Sequence, residues 1–172
     1  MSKFIENIST LQNNTFILTP LLVSFYKNLK PTDKNILLAY FVFPLVLNNE
    51  FLERIQKITV ASNLSRITKD KDIMAGFEDR FYYYKELTNR CLQYAIDCKY
   101  IQVDNNLAIT VINDANILTD PRLKKSVNLS SQLHNIFTKN VINTYYALEK
   151  PCARDPRSPV PLTLAVQNSL TL

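Results

Sequence analysis

Residues 87–111 read LTNRCLQYAIDCKYIQVDNNLAITV, and their hydrophobic period changes midway. Leu87, Cys91, Tyr94, Ala95 and Cys98 recur at helical spacing on one face. From Tyr100 the pattern alternates: Tyr100-Ile101-Gln102-Val103 and Leu107-Ala108-Ile109-Thr110-Val111 flank Asp104-Asn105-Asn106. A helix followed by a β-hairpin is predicted. A two-residue loop would pair Val103 with Ala108 and set Leu107, Ile109 and Val111 on the face opposite Ile101 and Val103. A three-residue loop pairs Val103 with Leu107 and Ile101 with Ile109, so every apolar residue shares one face. The three-residue loop is therefore expected, with Asn106 in the left-handed conformation.

Upstream, Ile73, Phe77, Phe81 and Tyr84 recur at helical spacing behind Asp70 and Asp72, and a separate helix is expected there. Leu18, Leu21, Leu22, Phe25 and Leu29 form the stripe of an amphipathic helix over residues 15–29. Thr19-Pro20 could start that helix, or it starts near Asn14 and must kink at Pro20. Thr32 is a fair cap for the next segment, residues 36–47, which is apolar all round. Pro44 argues against a central strand there, so a buried, bent helix is expected. Residues 50–57 continue it as a charged helix, and Ser62-Asn63-Leu64-Ser65 reads as a turn or cap. Asp120-Pro121 opens a short segment bearing Lys124 and Lys125. Two helices follow, around 129–138 and 141–148, the second with Val141, Tyr145 and Leu148 inward.

The fold class is thus mainly α with a small β-hairpin, a winged-helix-like helical domain. The helix near 87–98 would hold the recognition position and residues 100–112 the wing. Residues 1–150 form this single domain. Residues 151–172 hold four of the eight prolines and no lysine, and read as an appended tail, either a flexible interaction segment or an expression scar.

Composition bounds the chemistry. One glycine, Gly76, rules out Gly-rich phosphate loops. One histidine and three cysteines leave almost nothing spare for a closed zinc site. Cys91 and Cys98 lie two helical turns apart, roughly 10 Å, too far for a disulfide. Both are read as core residues, and the odd cysteine count suits a reducing compartment. His134 is read as a half-buried or surface residue, and the acidic pairs Asp70/Asp72 and Glu78/Asp79 as solvated. No catalytic, cofactor-binding or metal-binding residue is assigned. The amino terminus lacks a leader pattern, and residues 36–47 are too short to span a bilayer, so a soluble cytoplasmic protein without membrane contact is expected.

Two surface features stand out. Phe81-Tyr82-Tyr83-Tyr84 cannot all be buried on a helix, so Tyr82, Tyr83 and Tyr84 are candidates for a protein interface. The net charge of +5 supplies Lys85, Arg90, Lys99, Lys124 and Lys125 as candidate nucleic-acid contacts. Arg90 and Gln93 alone would face outward from the recognition position, which is little material for reading bases.

Several segments together resemble the small middle component of bacterial three-component ABC-ATPase systems over most of residues 13–151. Asn14-Thr15-Phe16-Ile17-Leu18 is similar to that family's opening helix, with Thr15 where the family has proline. Phe43-Pro44-Leu45-Val46-Leu47 matches its Leu-Pro segment. Arg80-Phe81 and Thr88-Asn89-Arg90-Cys91-Leu92-Gln93-Tyr94-Ala95 resemble its Arg-led helix pair before the hairpin. Ile136-Phe137-Thr138-Lys139 and Tyr145-Tyr146-Ala147-Leu148-Glu149-Lys150-Pro151 resemble its closing segments, with Glu149 near the usual glycine. The resemblance implies a non-catalytic adaptor without cofactor, bridging an ABC-type ATPase of the chromosome-maintenance and repair kind and a third component. It implies antiviral defence against phage or other invading DNA, with DNA contact inside the complex as an option. A winged-helix DNA-binding transcriptional regulator is the alternative.

Overall fold

A computed structural model describes residues 14–55, 64–113, 119–137, 141–144 and 148. Helices dominate them, with one two-stranded antiparallel sheet. Helix α1 spans Thr15–Asn28, and the Asn14 side chain accepts from the N–H groups of Phe16 at 3.0 Å and Ile17 at 3.3 Å. Satisfying two otherwise orphaned donors fixes the start at Asn14, so Pro20 lies inside the helix instead of at its first position. Leu18, Leu21, Leu22 and Phe25 are all buried.

After α1 the chain turns through Lys34, which is left-handed at φ 61, into a 3-10 turn at Asn35–Leu38. Thr32 does not cap this segment. Its carbonyl accepts from Asn35, and Lys34 instead donates to Asn106 O at 2.9 Å across the fold. Helix α2, Ala39–Val46, is buried on every side, as its sequence requires, and contains Pro44. Helix α3 covers Asn49–Ile55, and residues 56–63, including the expected Ser62-Asn63 turn, lie outside the described residues.

Helices α4 (Leu64–Lys69) and α5 (Lys71–Met74) lead to Gly76, whose φ of 62 reverses the chain. The two helices expected on either side of residue 85 are one helix, α6, Phe77–Asp97. The reason is continuity: no Gly or Pro interrupts it, and Phe77, Phe81, Tyr84, Leu87, Cys91, Leu92 and Ala95 run as one buried stripe. Arg80 ties α6 to its surroundings, donating to the carbonyls of Pro44 (3.3 Å), Ala75 (2.7 Å) and Ile73 (3.0 Å).

Helix α6 ends in paired bonds, Lys99 N to Ile96 O and Tyr100 N to Ala95 O, both 2.9 Å, with Lys99 left-handed at φ 57. This is the Schellman arrangement usually closed by glycine. Strands β1 (Ile101–Val103) and β2 (Ile109–Val111) pair Ile101 with Val111 and Val103 with Ile109. The register therefore differs from the expected one by two residues. The loop still has three residues, but they are Asn105, Asn106 and Leu107, closed by Asp104 N to Ala108 O at 3.0 Å and Leu107 N to Asp104 O at 3.0 Å. Leu107, not Asn106, is left-handed, at φ 58. The Asp104 carboxylate selects this frame by accepting from the N–H groups of Asn106 and Ala108, each at 2.8 Å. A shift of two preserves parity, so the apolar residues still share a face, and Ile101 and Ile109 are buried.

The fully buried Asn35 then sews the hairpin to the helices. Its Oδ1 accepts from Ile109 N at 2.7 Å, and its Nδ2 donates to Ile109 O at 3.4 Å. Residues 114–118 lie outside the described residues. Asp120 caps a 3-10 turn at Pro121–Leu123, and Lys124 already begins helix α7, Lys124–Gln132, so these lysines stand on a helix and not on a separate segment. A second 3-10 turn, Leu133–Asn135, follows. Helix α7 packs on α1 through polar stitches: Ser130 Oγ to Leu21 O (2.6 Å), Ser24 Oγ to Val127 O (3.2 Å) and Asn28 Nδ2 to Ser131 O (3.3 Å). Val141 and Leu148 are buried, as expected, whereas Tyr145 and the Pro-rich segment 151–172 lie outside the described residues.

Candidate functional site: the outer face of the long helix

Helix α6 buries one face against α1 and α2 and turns the other to solvent. Asp79, Tyr82, Tyr83, Glu86, Arg90, Gln93, Ile96 and Asp97 are all exposed. Of the three candidate tyrosines, Tyr83 is 57% exposed and Tyr82 37%, but Tyr84 only 7%. Tyr84 belongs to the inward stripe and packs edge-on against Phe43 at 6.2 Å, so it offers no surface to a partner. Burial pushes its hydroxyl pKa up. Tyr82 leans on Phe81 (5.6 Å) and Tyr83 on Tyr84 (4.9 Å), which anchors each exposed ring from below.

The helix end carries a second aromatic group. Tyr94, half-buried, meets Phe16 edge-on at 4.8 Å and Tyr100 at 6.3 Å. A hydrogen bond with Cys98, then burial and the neighbouring Tyr100, push the Tyr94 hydroxyl up to about 12. Cys98 is exposed, contrary to its expected core place, because the helix ends at Asp97 and the chain leaves the stripe there. Cys91 is buried, and burial pushes its thiol up to about 11, which makes it a poor nucleophile.

The five candidate cations occupy three different elements. Lys85 and Arg90 stand on α6, half-buried and exposed respectively. Lys99 sits in the left-handed turn. Lys124 and Lys125 are exposed in the first turn of α7, where the positive pole of the helix disfavours them. On the outward face of α6, Arg90 is outnumbered by Asp79, Glu86 and Asp97.

His134 is half-buried, as expected, and its Nδ1 lies 2.6 Å from the Ser131 carbonyl. That acceptor requires the proton on Nδ1. The imidazole lines a cavity of about 430 Å³ together with Asn28, Leu29, Lys30, Thr32, Leu38, Asn135, Phe137 and Val141. Among the described residues that line it there is neither carboxylate nor thiol. Among the described residues no cluster of three or more His, Cys, Asp or Glu side chains could hold a metal. No helix among them is long and apolar enough to cross a membrane.

Among the described residues these features define a mainly helical fold with one β-hairpin, whose most distinctive surface is the mixed tyrosine and carboxylate face of α6. The family model described as ABC-three component (ABC-3C) system Middle Component 3 matches residues 2–149, and the chain belongs to that family. It is the family that the packing motifs of the sequence resemble. No curated protein and no solved structure matches the chain.

Proposed function

We propose that this middle component is a non-catalytic, cytoplasmic adaptor that bridges the ABC-type ATPase and the third component of its system, in defence against phage or other invading DNA. The observation that carries the reading is the outward face of α6, where anchored Tyr82 and Tyr83 stand beside charged residues. Exposed tyrosine over a rigid helix is typical contact material for protein partners. No cofactor enters this reading.

The winged-helix alternative rests on the hairpin that directly follows α6. In that geometry α6 would meet the duplex. Its outer face bears three carboxylates against one arginine, and carboxylates repel phosphate. The adaptor reading is therefore preferred, and DNA contact is left to the assembled complex.

Co-expression with the ATPase and the third component, followed by affinity purification and size-exclusion chromatography, tests it. Recovery of all three in one peak supports the adaptor. Failure to retain either component overturns it, and a low-salt gel shift by the isolated chain would favour the DNA-binding alternative.

A further inference from the structure

The outer face of α6 has an internal order that points to the chemistry of what covers it. Asp79 and Asp97 are 18 residues apart, five turns of helix, and so stand in line about 27 Å from each other. Glu86 falls within about 20° of the same line. Arg90 stands within about 20° of the same line, between Glu86 and Asp97, so three carboxylates share the stripe with one guanidinium. Tyr82, Tyr83 and Gln93 flank it, and all are exposed. Gln93 donates to Asp97 at 2.8 Å, which holds that carboxylate on the face. Glu78 and Lys85, both half-buried, lie at the margin. The acidic stripe runs against the charge of the whole chain, which is +5.

Resting on the adaptor reading, we infer that this face docks a basic, amphipathic helix carried by another component of the system. Charge complementarity selects the partner: lysines or arginines on the arriving helix meet Asp79, Glu86 and Asp97, while its apolar residues pack on Tyr82 and Tyr83. Two helices side by side need an uninterrupted face several turns long, and α6 supplies one. Tyrosine contributes the larger part of the contact area and the carboxylates the orientation and association rate.

The test measures binding of the purified ATPase and, separately, the third component to the intact chain at about 0.05 and 0.3 M salt. The triple variant Asp79→Asn/Glu86→Gln/Asp97→Asn is expected to bind one component about tenfold more weakly at low salt and to lose most of the salt dependence. Tyr83→Ala is expected to weaken the same component at both salt levels. Gln132→Ala, exposed on α7, should leave binding unchanged. All substituted side chains are exposed, and an unchanged far-ultraviolet spectrum and melting temperature confirm folding. If the wild-type chain binds neither component, the adaptor reading itself falls. If it binds but the triple variant binds within twofold at both salt levels, the docking inference is overturned and the adaptor reading stands.

Discussion

Asn35 gathers three tertiary hydrogen bonds at one buried position. Both ends of its carboxamide engage Ile109, its carbonyl accepts from Tyr26 Oη at 3.0 Å, and none of it reaches solvent. Removing the amide strands a buried N–H of Ile109, which costs about 1–3 kcal/mol, and opens a small void besides. Asn35→Ala is therefore expected to lower unfolding free energy by about 2–4 kcal/mol, read from urea titration. Nothing local in Lys34-Asn35-Ile36 signals this role, because its partner lies 74 residues away. Tyr84 is the opposite case. Its phase with Phe77 and Phe81 was already visible in the sequence and placed it inward, whereas the aromatic run alone drew it into the surface set.

Among the elements, the helix stripes were legible because burial on one side imposes a period of 3.6 residues. Treating α6 as two helices hid the alignment of Asp79, Glu86 and Asp97, which exists only when the helix is continuous. The hairpin's facing was legible from parity, but its register was not. A left-handed leucine costs about 1–2 kcal/mol, and here bonds from Lys34 N to Asn106 O and from Ile36 N to Leu107 O offset it. Those partners come from another part of the chain, so local propensity could not reveal them. Lys99 bears a similar strain at the end of α6 without comparable compensation from its side chain. Lys99→Gly is expected to raise stability by about 0.5–1 kcal/mol, seen as an upward shift in the denaturation midpoint.

A different link joins α3 to α5, where Arg54 bridges Asp70 at 2.5 Å and Asp72 at 2.7 Å. Partial burial opposes ionisation of Asp70, but bonds from the backbone of Ile73 and Asp72 and the Arg54 guanidinium outweigh it, and its pKa is lowered. A folded value below the unfolded one, about 3.9, means stability that is present above that pH and lost as pH falls through the folded value. Asp120, held at about 2 chiefly by the Arg122 side chain, acts in the same direction. Asp70→Asn should therefore flatten part of the acid limb of a stability–pH profile and leave the remainder to Asp120→Asn.

For the whole molecule, the cysteines offer a readout of cooperativity. Cys91 sits where α1 meets α6, with its Sγ 3.8 Å from Thr15 O and Thr19 Oγ1 3.5 Å from the Cys91 carbonyl. With Cys98→Ser and Cys152→Ser in place, a thiol reagent at mild pH should reach Cys91 only through opening of this packing. Its labelling rate is expected to track the unfolded fraction across a urea series. Fast labelling in the absence of urea would show that the α1–α6 contact opens independently. The family and helical character were legible at this scale because packing motifs occur in a fixed order along the chain. The partner-facing chemistry was less so, since it depends on which faces the core leaves over.

A two-stranded ribbon has two flanks, and each can template another polypeptide. Here the outer flank of β2 is occupied at Ile109 by a side chain that imitates a neighbouring strand. That stopper makes growth of the ribbon one-sided at most. Asn35→Ala consequently does more than loosen the fold: it uncovers a seeding edge, and light scattering of the variant at high concentration should rise while its native fraction is still large.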